Sequence, residues 1–368
     1  MSVRVGIISA AWGAQAHLPA WRVVPGVEVV GICTAHRETA EAAAATHDVS
    51  MPFWDAQEMA RHPDIDVVDV GTRPSYRRDM CLGALAAGKH VYTGIPFAAD
   101  LDAARALRDA ASSAGTVAVV DAYSEHFGVF RFAEEVLADG TLGTLQSVVG
   151  RLELSLFAQP TSTFPYNWFH DASFGASALN NLGSHLLHLM VRLVGPVAEA
   201  AGTLTQYLDR WDFVDDPGGL DVEVGDTAVA ALRFESGPVG MLTAAWAGAA
   251  APGFHLEIAG DRGRLVLQAP MMPSGESTFL VGRAGGALEE VAVPDRLQTT
   301  EGIDLPSVWP GDPRGAMARS FWLMTKAIAG EGEGEARPDF ARGYHVQSVV
   351  ESVIRSGEGG GWVRPADL

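Results

Sequence analysis

Short β-branched runs alternate with helix-forming stretches from Val3 to Val120, and that rhythm restricts the chain to very few folds. Val3 to Ile8, Val27 to Ile32, Val67 to Val70, His90 to Tyr92 and Val117 to Val120 read as strands. Their apolar residues run on without alternation, as expected of strands covered on both faces. Ala14 to Val23, the Ala-rich Glu38 to Thr46, Arg78 to Ala87 and Leu101 to Ser113 read as the helices between them. Pro25-Gly26 marks a turn, and Gly88-Lys89 ends a helix in the manner common to glycine. Parallel strands joined by crossover helices satisfy this order, which predicts an α/β, doubly wound parallel Rossmann sheet over residues 1–122.

The pattern changes beyond Val120. A helix over Phe130 to Ala138 precedes a strand over Leu145 to Leu156. Apolar and polar residues then alternate at Thr227 to Phe234, Val239 to Trp246, His255 to Ala259 and Arg264 to Leu267. Alternation of that period predicts an antiparallel or mixed sheet with one face covered. Gly237-Pro238 and Asp261-Arg262-Gly263 fall at hairpin positions. Ala316 to Ala329 and Tyr344 to Ser356 read as closing helices, with a polar loop from Gly330 to Arg337 between them. Residues 123–368 are therefore expected to form a second, α+β domain.

Two domains suit a chain of 368 residues, of which 48% are hydrophobic. The 26 basic and 45 acidic residues leave a net charge of -19, which argues against nucleic acid and anionic membranes as partners. Cys33 and Cys81 are too few for a disulfide framework and make no metal-ligand pair, so a reducing, cytoplasmic setting is expected. Met1 leads directly into an apolar strand without a basic leader, and no apolar run reaches bilayer length.

A Rossmann turn carries G-x-G-x-x-G after its first strand, so that main-chain amides approach a pyrophosphate at a helix N-terminus. Here the stretch is Ser9-Ala10-Ala11-Trp12-Gly13-Ala14, with Ser9, Ala11 and Ala14 in the three glycine places. Small residues are kept although the glycines are not. The end of the second strand normally supplies an acid for the adenosine ribose, but here it reads Thr34-Ala35-His36-Arg37. A hydroxyl and two potential cations suit a 2′-phosphate better than a carboxylate does, which favours NADP over NAD. The same residues also suit a solvated loop.

Several segments together resemble the Gfo/Idh/MocA oxidoreductase family. They are Val5 to Ala20 with its His17-Leu18-Pro19-Ala20, Asp66 to Thr72, Ala87-Gly88-Lys89-His90-Val91, Gly140-Thr141-Leu142-Gly143 and Leu182-Gly183-Ser184-His185-Leu186-Leu187. Asp226 to Phe234 and Pro338-Asp339-Phe340 add to them. The resemblance implies a Rossmann domain followed by a domain with a large open sheet that serves as an oligomer interface, in a homodimer or homotetramer. It also implies a nicotinamide cofactor and a sugar-, polyol- or similar alcohol substrate.

The resemblance breaks at the residues of the reaction. Relatives carry Glu-Lys-Pro where this chain has Gly94-Ile95-Pro96, so the lysine that polarises the reacting hydroxyl falls on Ile95. Isoleucine neither donates a hydrogen bond nor carries a proton. A subgroup resembling the yeast galactose regulator also lacks this lysine. Relatives further place an Asp four residues before a His on one helix face, and here that pair is Asn181 and His185. Asn181 hydrogen-bonds but is no base, whereas His185 is suited to proton transfer near neutral pH.

Candidate roles follow from these positions. His185, Asn181 and Tyr123 are the catalytic candidates, with Tyr123 or His126 as a substitute for the missing lysine. Ser9, Ala11, Trp12, Gly13, Ala14, Thr34, His36, Arg37, Thr72, Arg73, Tyr76, Gly94 and Pro96 are candidates for the cofactor. Glu125, His126, Trp168, His170 and Asp171 are candidates for substrate, with Trp168 offering an apolar face to a sugar ring. Bland readings stand beside these: a core histidine on an apolar helix, an interdomain hinge at 121–126, an ordered surface loop at 167–171. His185 and His188 have metal-ligand spacing but no third ligand, so no metal is expected. The leading expectation is an NAD(P)-dependent oxidoreductase. A lyase or glycoside-cleaving enzyme without net redox, and a non-catalytic dinucleotide- or sugar-binding regulator, are the alternatives.

Overall fold

The computed structural model describes residues 2–300, 302–306, 309, 311–332 and 336–368. The middle of the polar loop read over 330–337 lies outside the described residues. The chain divides into two compact units: Met1–His126 with Thr299–Tyr344, and Phe127–Gln298 with His345–Leu368. The sequence places a single boundary after residue 122. In the structure the segment 299–344, read as part of the second domain, packs with the first.

Among the described residues the first unit holds six strands: β1 (Val3–Ile8), β2 (Val27–Cys33), β3 (Met51–Phe53), β4 (Val67–Val70), β5 (His90–Thr93) and β6 (Ala118–Val120). Their order is β3-β2-β1-β4-β5-β6, and every neighbouring pair is parallel. This is the doubly wound order, with the switch point between β1 and β4 and a crevice beyond the carboxyl ends of the strands. The strands are apolar because both faces are covered. Val5, Ile7, Ile32, Val67, Val68, Val70, Val91 and Val119 are all fully buried.

One face buries Val30, Phe53, Met59, Ile65, Leu85, Phe97 and Leu107 together with Phe340. On residues 13–22 and the helix Pro313–Ile328, Trp21 and Phe321 stack with centroids 3.8 Å apart and planes 3° from parallel. Three of the helix starts are capped by side chains: Asp55 accepts from Gln57 N and Glu58 N, Asp100 from Ala103 N, and Asp312 from Arg314 N.

The second unit carries β7 (Leu145–Glu153), β8 (Val197–Thr205), β9 (Arg210–Asp212), β10 (Gly219–Asp221), β11 (Thr227–Phe234), β12 (Val239–Ala245), β13 (Gly253–Gly260), β14 (Gly263–Ala269), β15 (Thr278–Arg283) and β16 (Glu289–Glu290). Eight of them form one sheet, β16-β15-β14-β13-β7-β12-β11-β8, while β9 and β10 pair separately. Only β7 and β12 run parallel within it, so the sheet is mixed, as expected. Alternation does the sorting. β11 buries Ala228, Ala230, Leu232 and Phe234 and turns Val229, Ala231 and Arg233 to solvent. The helix Ser184–Val194 lies close on the buried face, since a Cβ on Gly150 of β7 would stand 3.0 Å from the Leu186 side chain.

Two helices differ from the expectation of plain α-helix. The first opens with a π-helical turn, Gly13–His17, that continues as Leu18–Arg22. The second opens with another, Leu179–Gly183, that continues as Ser184–Val194. Both π turns fall on segments singled out for chemistry, where such turns are frequent. Among the described residues no helix is long and apolar enough to cross a membrane.

Candidate active site

In the first unit, the turn after β1 leads straight into a helix. Ser9 folds onto its own backbone, its Oγ accepting from Ala11 N at 3.1 Å. Ala10 and Ala11 are exposed, Trp12 is 37% exposed, and Gly13 and Ala14 are buried. The amides that open a helix have no carbonyl one turn behind them, which leaves those of Trp12, Gly13 and Ala14 to an outside acceptor. A Cβ on Gly71, just beyond β4, would stand 3.2 Å from Gly13 Cα. Glycine at both places lets the turn close onto the end of β4, the job the third fingerprint glycine does elsewhere. The turn therefore fits a diphosphate without its customary glycines.

At the end of β2, Thr34 Oγ1 donates to His36 O at 3.1 Å and lies 2.6 Å from Thr39 Oγ1. His36 and Arg37 are exposed. The Arg37 guanidinium sits 4.0 Å from the Trp54 ring centroid, and 4.0 Å from Glu41.

Beyond β4 and β5, Arg77 is buried and holds two loops at once. Its Nε donates to Thr72 O at 2.8 Å, and its Nη1 donates to Gly94 O at 2.8 Å and to Pro96 O. Burial lowers the guanidinium pKa to about 10, against the raising influence of Cys81, Asp121 and Asp69. Thr72 Oγ1 points to Met80 Sδ, while Arg73 and Tyr76 are exposed. Ile95 packs against the apolar core rather than presenting a polar head.

Beneath these loops lies a buried polar cluster. His17 Nδ1 donates to Asp69 Oδ1 and Oδ2 at 2.9 and 3.0 Å, and its Nε2 donates to Asp121 Oδ2 at 3.2 Å. Trp21 Nε1 donates to Asp69 Oδ2 at 2.8 Å, and the Tyr92 hydroxyl to Asp121 Oδ1 at 2.5 Å. Register explains the gathering: Ile7, Asp69 and Tyr92 are lateral neighbours on β1, β4 and β5, so their side chains share one face. Burial alone would lower the His17 pKa, but the Asp69 charge and hydrogen bonds to Asp121 and Asp69 raise it to about 10. Burial, with the Asp121 charge second, pushes the Tyr92 hydroxyl well above its usual range, so it stays a donor.

None of His17, Asp69 and Arg77 was among the sequence candidates. One signal was available: a lone acid inside the apolar run Val67-Val68-Asp69-Val70 must find a partner if the strand is buried.

After β6, Tyr123, Ser124 and Glu125 are buried in the short helix Tyr123–His126. Glu125 pairs with Arg342 through both carboxylate oxygens. His126 Nε2 donates to Arg337 O at 3.1 Å.

In the second unit, Asn181 lies in the π turn and is 5% exposed. Its Oδ1 accepts from Ser177 N at 3.1 Å. His185 follows in the first α turn and is half-buried, with His188 fully inside. Separately, Asn167–His170 forms a short helix over an aromatic cluster in which Phe157 stacks on Trp211 at 3.6 Å. Trp168 stands edge-on to Phe169, with centroids 4.4 Å apart. His170 Nδ1 donates to Asp221 O at 2.9 Å, and Asp171 caps the next turn by accepting from Ser173 N. Among the described residues no three His, Cys, Asp or Glu side chains are grouped to hold a metal.

Two family models match this chain. The model described as the oxidoreductase family, NAD-binding Rossmann fold, covers residues 3–122, and the GFO/IDH/MocA C-terminal domain covers residues 130–266. The chain belongs to the Gfo/Idh/MocA oxidoreductase family. Levoglucosan dehydrogenase of Pseudarthrobacter phenanthrenivorans is 24% identical, over 98% of each chain. Among solved structures, an NAD-binding oxidoreductase from Klebsiella pneumoniae superposes with a TM-score of 0.86 at 23% identity, covering 99% of both chains. Levoglucosan dehydrogenase in complex with NADH and levoglucosan gives a TM-score of 0.86 at 22% identity, again over 99% of both chains.

Proposed function

We propose that this oxidoreductase moves a hydride between a nicotinamide dinucleotide and a carbinol carbon of a sugar- or polyol-like alcohol. The observation that carries this reading is the open turn after β1, with the amides of Trp12, Gly13 and Ala14 at the switch point of the sheet. The names of relatives support the substrate class: levoglucosan dehydrogenase, D-apiose dehydrogenase and 1,5-anhydro-D-fructose reductase.

Residues 9–14 hold the diphosphate, and Thr72, Arg73, Tyr76, Gly94 and Pro96 line the nicotinamide half. The bound nicotinamide supplies the hydride acceptor or donor. His185 takes or returns the hydroxyl proton, and Asn181 orients the alcohol by hydrogen bonding. Tyr123 or His126 takes over the polarising role that Ile95 has lost. Trp168 offers its ring face to the sugar, and Glu125, His170 and Asp171 are further candidates for the substrate. Exposed Arg37 and His36, in a stretch over residues 34–37 that contains no acid, favour NADP over NAD.

The open face of the eight-stranded sheet carries Val229, Val239 and Met241 at 46, 57 and 46% exposure, which supports a homodimer or homotetramer through that face. The loss of the lysine at Ile95 supports a second reading, in which transient oxidation assists an elimination without net redox.

The test is direct. Purified protein is titrated with NADPH and NADH while tryptophan fluorescence is followed, then sugars and polyols are screened by nicotinamide absorbance. Binding of neither dinucleotide removes the proposal. Turnover that survives His185→Ala within about tenfold removes that residue from its role, since general acid–base catalysis contributes ~100-fold or more.

A further inference from the structure

We infer that His17 is a positioning residue for the cofactor: it fastens the helix behind the diphosphate turn to the carboxyl ends of the central strands. The inference rests on the reading that a dinucleotide binds at this turn. His17 lies at the end of the π turn Gly13–His17, within one turn of the amides that face the diphosphate. Its two ring nitrogens contact carboxylates on opposite sides, Asp69 of β4 and Asp121 just after β6. A neutral imidazole has one N–H and donates to one carboxylate only, so a ring bonded to both is the imidazolium.

The charges balance locally. His17 and Arg77 carry two positive charges, and Asp69 and Asp121 two negative ones, all four at 5% exposure or less. Arg77 extends the scaffold to the loops after β4 and β5 through Thr72 O, Gly94 O and Pro96 O. The loops after β4 and β5 are thereby held by one buried guanidinium whose charge Asp121 and Asp69 favour. Trp21 and Tyr92 occupy further carboxylate lone pairs, and Phe321 seals the group, its ring 6.0 Å from His17 and 4.7 Å from Tyr92. A cluster so paired and dry resists rearrangement, because each member displaced leaves a buried charge without its partner. Rigidity of this kind keeps the turn's amides aimed before the cofactor arrives, which lowers the ordering cost of binding.

The experiment compares wild type with His17→Gln, which loses the charge and one donor, and with the milder Trp21→Phe and Tyr92→Phe, each removing one donor from a carboxylate. Dissociation constants for NADPH and NADH are measured by fluorescence titration at a temperature where circular dichroism shows every variant fully folded. The expected result is a rise of about tenfold in both constants for His17→Gln and of about threefold for the milder pair. The KM for cofactor moves with them, while kcat at saturating cofactor stays within twofold of wild type. Side-chain nitrogen NMR of wild type at pH 8 is expected to show both His17 nitrogens protonated. Unchanged constants in all three variants overturn the inference, as does a single-protonated His17 ring. If His17→Gln fails to fold, the milder pair decides alone. Wild type that binds no dinucleotide removes the cofactor reading instead, so the two failures are distinguishable.

Discussion

Raising the pH from 7 to 8.5 should weaken this protein by an amount traceable to His17. The ring titrates at 6.5 when exposed in the unfolded chain and at about 10 in the fold, where the charges of Asp69 and Asp121 hold it protonated. Between those values the native state keeps a proton that the unfolded state has lost. The stabilisation is therefore complete below pH 6.5, declines as the pH rises, and is gone above about 10. In that window the unfolding free energy falls by about 1.4 kcal/mol per pH unit, or about 2 kcal/mol from pH 7 to 8.5. With a urea m-value of about 3 kcal/mol/M, the midpoint drops by about 0.7 M. The comparison is the double variant His17→Gln/Asp121→Asn, which removes the titrating ring together with one of the two carboxylates it bonds, so that the buried charge stays balanced. Urea unfolding followed by tryptophan fluorescence at three pH values gives both slopes. Burial raises Cys33 and Cys81 to about 12, but their unfolded forms titrate near 9, which is why the scan stops at 8.5. A wild-type slope equal to that of the double variant would refute the buried imidazolium.

Three further outcomes follow from the geometry. Arg77→Met leaves the carbonyls of Thr72, Gly94 and Pro96 without their donor and should cost about 3 kcal/mol in urea unfolding; an unchanged midpoint would show the loops to be held otherwise. Phe321→Ala opens a cavity beside Trp21 and should cost about 3–5 kcal/mol, read as a lowered thermal midpoint. Arg37→Ala should raise the KM for NADPH about tenfold and leave that for NADH within twofold; equal changes would detach Arg37 from phosphate recognition.

The parallel sheet was legible because its strands are rich in β-branched residues, and Val67–Val70 matches its expected limits residue for residue, as does Thr227–Phe234 in the mixed sheet. β3 was missed because Met51–Phe53 is three residues long with a proline in the middle, a pattern that reads as loop. β8 was missed because Val197–Thr205 is mostly Ala, Gly and Thr, too weakly apolar to show its alternation. The site candidates that the sequence offers are local motifs, Ser9–Ala14 and Asn181 with His185. The polar cluster was not legible: His17 meets partners 52 and 104 residues away, and only strand register brings them together.

The return of the segment 299–344 to the first unit bears on how the protein is made. Phe321 covers Trp21, Val120 N donates to Pro338 O at 2.8 Å, and Asp339 bridges to Val119 at the edge of β6. A nascent chain released only to residue 126 lacks that cover and shows an unprotected strand edge. The Rossmann half thus lacks its full cover until the segment 299–344 has also been made. Chaperones have that whole interval in which to meet it.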